Sequence, residues 1–294
     1  MILVVGASGL LGSEICRRLR GAGHSVRALV RANSARDRIS AIQSAGAVTA
    51  IGDLKNPASL SQACEGVSAV ITTASSTLSR QEGDSIETVD RQGHLHLIDA
   101  AKRAGVRQFV YISIPPDSQY DYPLFRAKRE VEAALASSGM GYTVLLANFF
   151  MEVWLSPMLG FDYPNGRATV YGSGEQPIGW VSYRDVAGFA VDALGNGAAL
   201  NRMLLAGGPE NLTPLRVVRI FEDVTGRLFT VEHVPRGALE KQYAEAKDPM
   251  SQTFAALMLG YAHGCPMDMR ETLDLMPRPL TTIRDYAATA GRSS

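Results

Sequence analysis

The sequence predicts an α/β fold: a doubly wound parallel sheet followed by a second, smaller domain. Three observations carry this prediction. A short apolar run, Met1–Val5, leads straight into a glycine-rich turn and an amphipathic helix. Strand-like and helix-like stretches then alternate as far as Ala147. After that point the rhythm breaks into an aromatic segment and a run rich in Pro and Gly. Alternation of this kind implies right-handed βαβ units and an open parallel sheet covered on both faces.

The first strand is Met1–Val5, since a strand buried on both faces reads as a continuous apolar run. Leu11, Ile15 and Leu19 then recur four apart on one helical face. Further strands are predicted at His24–Val30, Val48–Ile51, Ala69–Ala74, Gln108–Ser113 and Tyr142–Ala147. Helical patterns lie between them near Ala35–Gly46, Pro57–Cys64, Glu87–Ala104 and Phe125–Ser137. Asn56 before Pro57 reads as an N-cap with proline at the first helical position. Gly66 and Gly105 close two of these helices.

Beyond Ala147 the aromatic segment Asn148–Trp154 precedes the Pro- and Gly-rich run Pro157–Gly179. Ser182-x-x-Asp185 has capping-box form, with Asp in place of Glu, ahead of a helix over Tyr183–Leu194. Met203–Ala206 reads as a strand, Thr213-Pro214 opens a helix that ends near Gly226, and Phe229–Val234 alternates as a short exposed strand. Helical patterns at Gly237–Lys247, Met250–Ala262 and Leu280–Ala290 finish the chain. Residues 1–150 are therefore expected to form a Rossmann-type dinucleotide-binding domain, to which 183–206 returns. Residues 151–294 are expected to form a smaller substrate-side domain.

The 294 residues carry 29 basic and 29 acidic side chains and are 46% hydrophobic, enough for a full core in one large or two modest domains. Balanced charge argues against a nucleic-acid or anionic-membrane partner, since both select for clustered Lys and Arg. No stretch approaches the roughly 18–20 apolar residues that span a bilayer, and the N-terminal apolar run is too short for a signal peptide. Cys16, Cys64 and Cys265 are an odd, sparse set, suited to packing in a reducing cytoplasm and not to a disulfide framework.

Ligands of such sheets bind beyond the carboxyl ends of the strands, so the chemistry is expected at the strand exits. At the first, Gly6, Ser8, Gly9, Leu10, Leu11 and Gly12 form a turn between a strand and a helix, the context a dinucleotide site requires. With no Cβ at Gly6 or Gly9, a pyrophosphate can approach the backbone, and the positive end of the helix favours its charge. The second strand ends at Arg31, where an NAD-specific site usually places an acid. A guanidinium there suits a 2′-phosphate, and points to NADP(H); a solvated surface arginine is the alternative. The third strand ends Asp53-Leu54, and Asp53 would either accept from the adenine amino group or cap the helix beginning at Asn56. Thr73, Ala74 and Ser75 end the fourth strand with small side chains that let a cofactor lie across the sheet edge.

Ser113 ends the fifth strand, and Lys128 lies on the helix that follows. Short-chain reductases commonly pair Ser with a Tyr and a Lys four residues apart on one helix. Here the Lys is present and the Tyr place holds Leu124, so the usual proton donor is missing. Tyr120 and Tyr122 sit at the wrong helical phase. The alternative for Lys128 is a surface ion pair with Glu132, four residues on.

The glycine spacing, Gly-x-x-Gly-x-x-Gly, resembles that of the extended and atypical short-chain dehydrogenase/reductases. Gly6–Gly12, Arg27–Arg31, Gly52-Asp53-Leu54, Val110–Ser113, Ala127–Glu132 and Asn148–Val153 together resemble the NmrA-like members of that group, and the likeness covers nearly the whole chain. Gly179–Ala187 also looks like a later core segment of that family. Its members include NADPH-dependent quinone reductases, triphenylmethane dye reductases and isoflavone reductase, alongside NADP-sensing regulators with little or no catalysis. The resemblance implies NADP(H) as cofactor and a catalytic or cofactor-binding role for Lys128; Ser113, at the exit of the fifth strand, is the second catalytic candidate. The chain departs from the family at Leu146-Ala147-Asn148, where an Arg-Pro pair is frequent. A homodimer is left open.

Phe149, Phe150, Trp154 and Phe161 are expected beside the carboxyl edge of the sheet. Phe149 and Trp154 would either wall an apolar site for a flat aromatic or quinone substrate or belong to the core joining the two domains. His94-x-His96 fails as a metal site, because residues two apart on a helix face different sides. No metal is expected.

Overall fold

A computed structural model describes residues 1–78, 80–116 and 119–290. Among them the strands are β1 (Ile2–Val5), β2 (Val26–Val30), β3 (Val48–Ile51), β4 (Ala69–Thr72), β5 (Gln108–Ser113), β6 (Gly141–Ala147), β7 (Phe161–Asp162), β8 (Arg167–Tyr171), β9 (Arg202–Ala206) and β10 (Thr230–Val234). The chain divides into two compact units, one of residues 1–114, 123–146 and 186–204, the other of residues 115–122, 147–185 and 205–294.

The first unit is built on a seven-stranded sheet in the order β3-β2-β1-β4-β5-β6-β9. From β1 through β6 every pairing is parallel, as crossover connections through helices demand. β1, β4 and most of β5 and β6 are buried, which is why those stretches read as near-continuous apolar runs. The Rossmann-type sheet expected from the sequence is thus present. The helices that cover it are α1 (Leu10–Gly21), α2 (Arg36–Ser44), α3 (Pro57–Cys64), α4 (His94–Arg103) and α5 (Pro123–Ala136). Asn56 caps α3 by accepting from the N–H groups of Ala58 and Ser59.

One predicted helix is two. The pattern over residues 87–104 reads as a single helix, but Ile86–Gly93 winds as a π-helix before α4 begins. Ser85 and Thr88 cap it reciprocally. Gly93 ends it where a Cβ would lie 2.7 Å from the Leu54 Cβ. The wider turn leaves the pattern of apolar residues nearly unchanged, so periodicity alone does not reveal it.

The second unit holds a three-stranded sheet, β10-β8-β7, with β10 parallel and β7 antiparallel to β8. β7 and β8 fall inside the Pro- and Gly-rich run that masked them, each immediately preceded by a left-handed glycine, Gly160 before β7 and Gly166 before β8. The strand expected at 229–234 is present as β10 and is largely exposed. Trp180, Phe221, Phe161 and Tyr261 anchor this unit's core.

Candidate active site

The order of strands fixes where a ligand would sit. From β1 the chain runs outward to β2 and β3, then returns to β4 on the other flank of β1. The crevice at the carboxyl ends of β1 and β4 is therefore the switch point at which open α/β sheets bind ligands. Gly6 leaves β1 there and Thr73 leaves β4. Gly6 has φ +80°, and a Cβ on it would lie 2.7 Å from Thr73 Oγ1 and 2.8 Å from the Ala74 nitrogen. A Cβ on Gly12 would meet the Gly6 carbonyl oxygen at 2.2 Å. Only glycine lets loop, strand exit and helix pack so closely.

Helix α1 starts at Leu10, with Gly9 in the cap position, no side-chain cap and no acid in its first turn. Arg38 donates to the Ser8 carbonyl at 3.0 Å and ties α2 to the loop. These features fit the pyrophosphate of a dinucleotide: backbone close enough to touch and a helix terminus whose dipole favours an anion.

At the neighbouring exits, β2 leads to Arg31 and β3 to Asp53 and Leu54. Arg31 Nη1 donates to Asp84 Oδ2 at 2.6 Å, so it is engaged and not a loosely solvated arginine. Lys55 Nζ donates to the other oxygen of Asp84, also at 2.6 Å. Burial pushes the Asp84 carboxyl up, but hydrogen bonds from Lys55, the Gln81 N–H and Arg31 more than offset it, holding the group below its ordinary range. Asp53 does not cap α3; its carboxylate accepts from the Lys55 N–H at 2.8 Å. Leu54 is buried and packs against Gly93 of the π-helix. Ser75 exchanges a hydrogen bond with Thr77 at 3.2 Å.

Lys128 and Ser113 are brought together at the exit of β5, in a far drier setting than a surface pair. Lys128 is 5% exposed. Its ammonium donates to the Ile112 carbonyl at 3.1 Å and lies 4.7 Å from the centre of the Tyr111 ring. Burial lowers the ammonium's pKa, and Asp90 and Glu132 pull it back up. Glu132, the partner in the alternative of a surface Lys128, instead takes hydrogen bonds from Ser113 Oγ at 2.5 Å and Arg129 at 2.6 Å. Burial raises the Glu132 carboxyl, while the bond from Ser113 and the charge of Arg129 oppose that shift. Leu124, at the place of the missing phenol, is buried.

Beneath Lys128 lies a polar layer that sequence patterns did not reveal. Asp90, on the π-helix, is fully buried and accepts from the Ser76 N–H at 3.0 Å and the Ser76 hydroxyl at 2.6 Å. Its second oxygen and the Tyr111 hydroxyl are buried without a hydrogen-bond partner. His94 binds Thr72 at 3.1 Å and the Val89 carbonyl at 2.9 Å. Burial, reinforced by the charge of Lys128, pushes the imidazole down to about 4. The only sequence signal for this layer was polar residues on a helix otherwise periodic in apolar ones. Asp84 had none, since its partners lie 53 and 29 positions away.

Phe149 and Trp154 belong to the second unit. Their rings meet edge to face at 4.7 Å, and Trp154 stacks on Tyr261 at 5.7 Å. Both are half-buried against that unit's core. Phe161 is buried against Phe221. Tyr120 packs on Tyr243 and His263, also within this unit. Among the described residues no group of His, Cys, Asp and Glu is placed to hold a metal, and no helix is long and apolar enough to cross a membrane.

Residues 1–275 match the model of the NmrA-like family. The chain belongs to that family. It is 31% identical to an NAD(P)H azoreductase of Xenophilus azovorans over 98% of this chain and 96% of that protein. It is also 31% identical to the photosystem II assembly factor Ycf39 of Synechocystis, over 81% of this chain and 72% of that one. In fold it is similar to the NADPH-dependent quinone oxidoreductase of Escherichia coli solved with NADPH, with a TM-score of 0.79, 21% identity and 99% of each chain covered.

Proposed function

We propose that this NmrA-like chain is an NADPH-dependent reductase that delivers hydride to a planar conjugated acceptor, a quinone or polyketide-like aromatic. The observation that carries the reading is the buried Lys128 ammonium, fixed on the Ile112 carbonyl at the exit of β5, on the same sheet as a glycine cradle at the switch point. Relatives named for azo and quinone reduction with NAD(P)H support the same cofactor and acceptor class.

When bound, reduced nicotinamide supplies the hydride; the protein supplies orientation and charge. Gly6, Gly9 and Gly12, with Ser8 and the N–H groups of Leu10 and Leu11, would hold the pyrophosphate, and Arg31 the 2′-phosphate. Leu54, Thr73, Ala74 and Ser75 would border the cofactor, and Asp53 the adenine. Lys128 would hydrogen-bond the ribose hydroxyls and favour negative charge building on the acceptor oxygen. Ser113 binds Glu132, so it acts in this reading as a positioning residue that helps keep α5 against the exit of β5. Phe149 and Trp154 are assigned to the acceptor. A chain with two buried thiols, Cys16 and Cys64, both pushed up by burial, suits a reducing cytoplasm.

Leu124 favours a second reading. With no phenol on α5, the same cradle would serve a protein that senses NADP(H) and reports it to a partner. NADPH oxidation against a panel of quinones, azo dyes and triphenylmethane dyes, followed by loss of the reduced-nicotinamide absorbance, separates the two. Turnover with any acceptor supports the reductase; tight binding without turnover supports the sensor.

A further inference from the structure

We propose that Lys55 is the second cation for the cofactor's 2′-phosphate, set beside Arg31 by Asp84 acting as a buried strut. The inference rests on the NADPH reading above and extends it to two residues that the sequence did not single out. β2 and β3 are parallel neighbours, with Val30 opposite Ile51, so Arg31 and Lys55 leave the sheet at adjacent exits. There the adenosine half of a dinucleotide is expected.

The pattern of exposure decides which group faces a ligand. The Arg31 and Lys55 side chains are each 25% exposed, while the Asp84 side chain is 1% exposed. A carboxylate thus lies beneath two cations, bonded to each at 2.6 Å. Asp84 is also fixed from its own loop, where Oδ2 accepts from the Gln81 N–H at 2.8 Å. Lys55 Nζ is steadied further by the Glu82 carbonyl at 2.9 Å, with Asp53 Oδ2 at 3.9 Å. Long cationic side chains lose rotamer freedom when they bind an anion. Two cations already ordered by a shared floor have less to lose, and charge-assisted bonds to a phosphate then add to affinity. A carboxylate this deeply held is poorly placed to compete for the outer faces of the cations.

Calorimetric titration with NADPH, NADH and adenosine 2′,5′-bisphosphate tests this on the wild type, Lys55→Gln and Asp84→Ala, each checked for folding by a thermal melt. The expected result is about tenfold weaker binding of NADPH and of the bisphosphate in Lys55→Gln, the scale of one charge-assisted bond, with NADH binding unchanged. Asp84→Ala should weaken NADPH in the same sense, although it removes a negative charge. An unchanged NADPH-to-NADH preference in Lys55→Gln overturns the assignment of Lys55, and tighter NADPH binding in Asp84→Ala overturns the strut. If Asp84→Ala fails to fold, Asp84→Asn, which keeps the shape and removes the charge, takes its place under the same criterion. A wild type with no preference for NADPH over NADH is a different failure: it removes the NADPH reading, and this inference with it.

Discussion

The ammonium of Lys128 donates to the main-chain carbonyl of Ile112 at 3.1 Å, so the side chain from α5 is tied to the exit of β5. Burial lowers its pKa, yet Asp90 and Glu132 favour the charged form. A fixed, poorly hydrated ammonium is what a developing oxyanion needs, because a preorganised charge requires no reorientation during reaction. Lys128→Ala should therefore lower kcat by about tenfold to a thousandfold, the span for losing a positioned donor or proton-transfer group. Steady-state kinetics on a folded variant check this, and wild-type turnover would exclude the role. Restoring a phenol with Leu124→Tyr should not be needed for activity.

Cofactor choice follows from Arg31. Arg31→Ala should weaken NADPH by about tenfold to a hundredfold, which corresponds to the roughly 1.5–3 kcal/mol of a hydrogen bond to a charged group. NADH should be spared. Equal loss for both cofactors would show that the guanidinium supports the loop and does not read the 2′-phosphate.

Acceptor choice is assigned to the second unit's rings. Trp154→Ala removes the stack on Tyr261 and the edge contact with Phe149. It should raise KM for a quinone while leaving NADPH affinity unchanged. Faster turnover of a nucleotide sugar than of any quinone would contradict the aromatic-acceptor reading.

Much of this was legible because parallel strands buried on both faces announce themselves as apolar runs, and because Gly6 and Gly12 occupy positions that a Cβ would fill. The glycine loop, Arg31 and Lys128 each carry a local signature: a spacing, a strand exit, a helix position. Asp84 and Asp90 do not. Asp84 meets Arg31 and Lys55 only after three segments converge, and Asp90 is hidden by a π-turn whose apolar pattern mimics an α-helix. Glu132 shows the limit of helical spacing as evidence. Its i, i+4 relation to Lys128 suggested a surface pair, but burial of α5 turned its carboxylate to Ser113 and Arg129.

His94 gives a pH dependence that does not involve a ligand. Its folded pKa is pushed down to about 4 from 6.5 by burial and by the charge of Lys128. The unfolded chain thus binds this proton more readily than the folded one. Stability contributed by neutral His94 is fully present above pH 6.5 and is lost as pH falls through the window from 6.5 towards 4. Denaturant unfolding across that window should show stability falling with pH, and His94→Gln should flatten the slope. An unchanged slope in the variant would assign the effect to other groups.

The most direct test of the reductase is a single turnover. Wild-type protein loaded with stoichiometric NADPH is mixed rapidly with excess quinone or azo dye, and the bound reduced nicotinamide is followed optically. The account predicts that the bound cofactor is oxidised in one phase, more slowly when the transferring C4 position carries deuterium and far more slowly in Lys128→Ala. Bound NADPH that persists unchanged in the presence of every acceptor would contradict it.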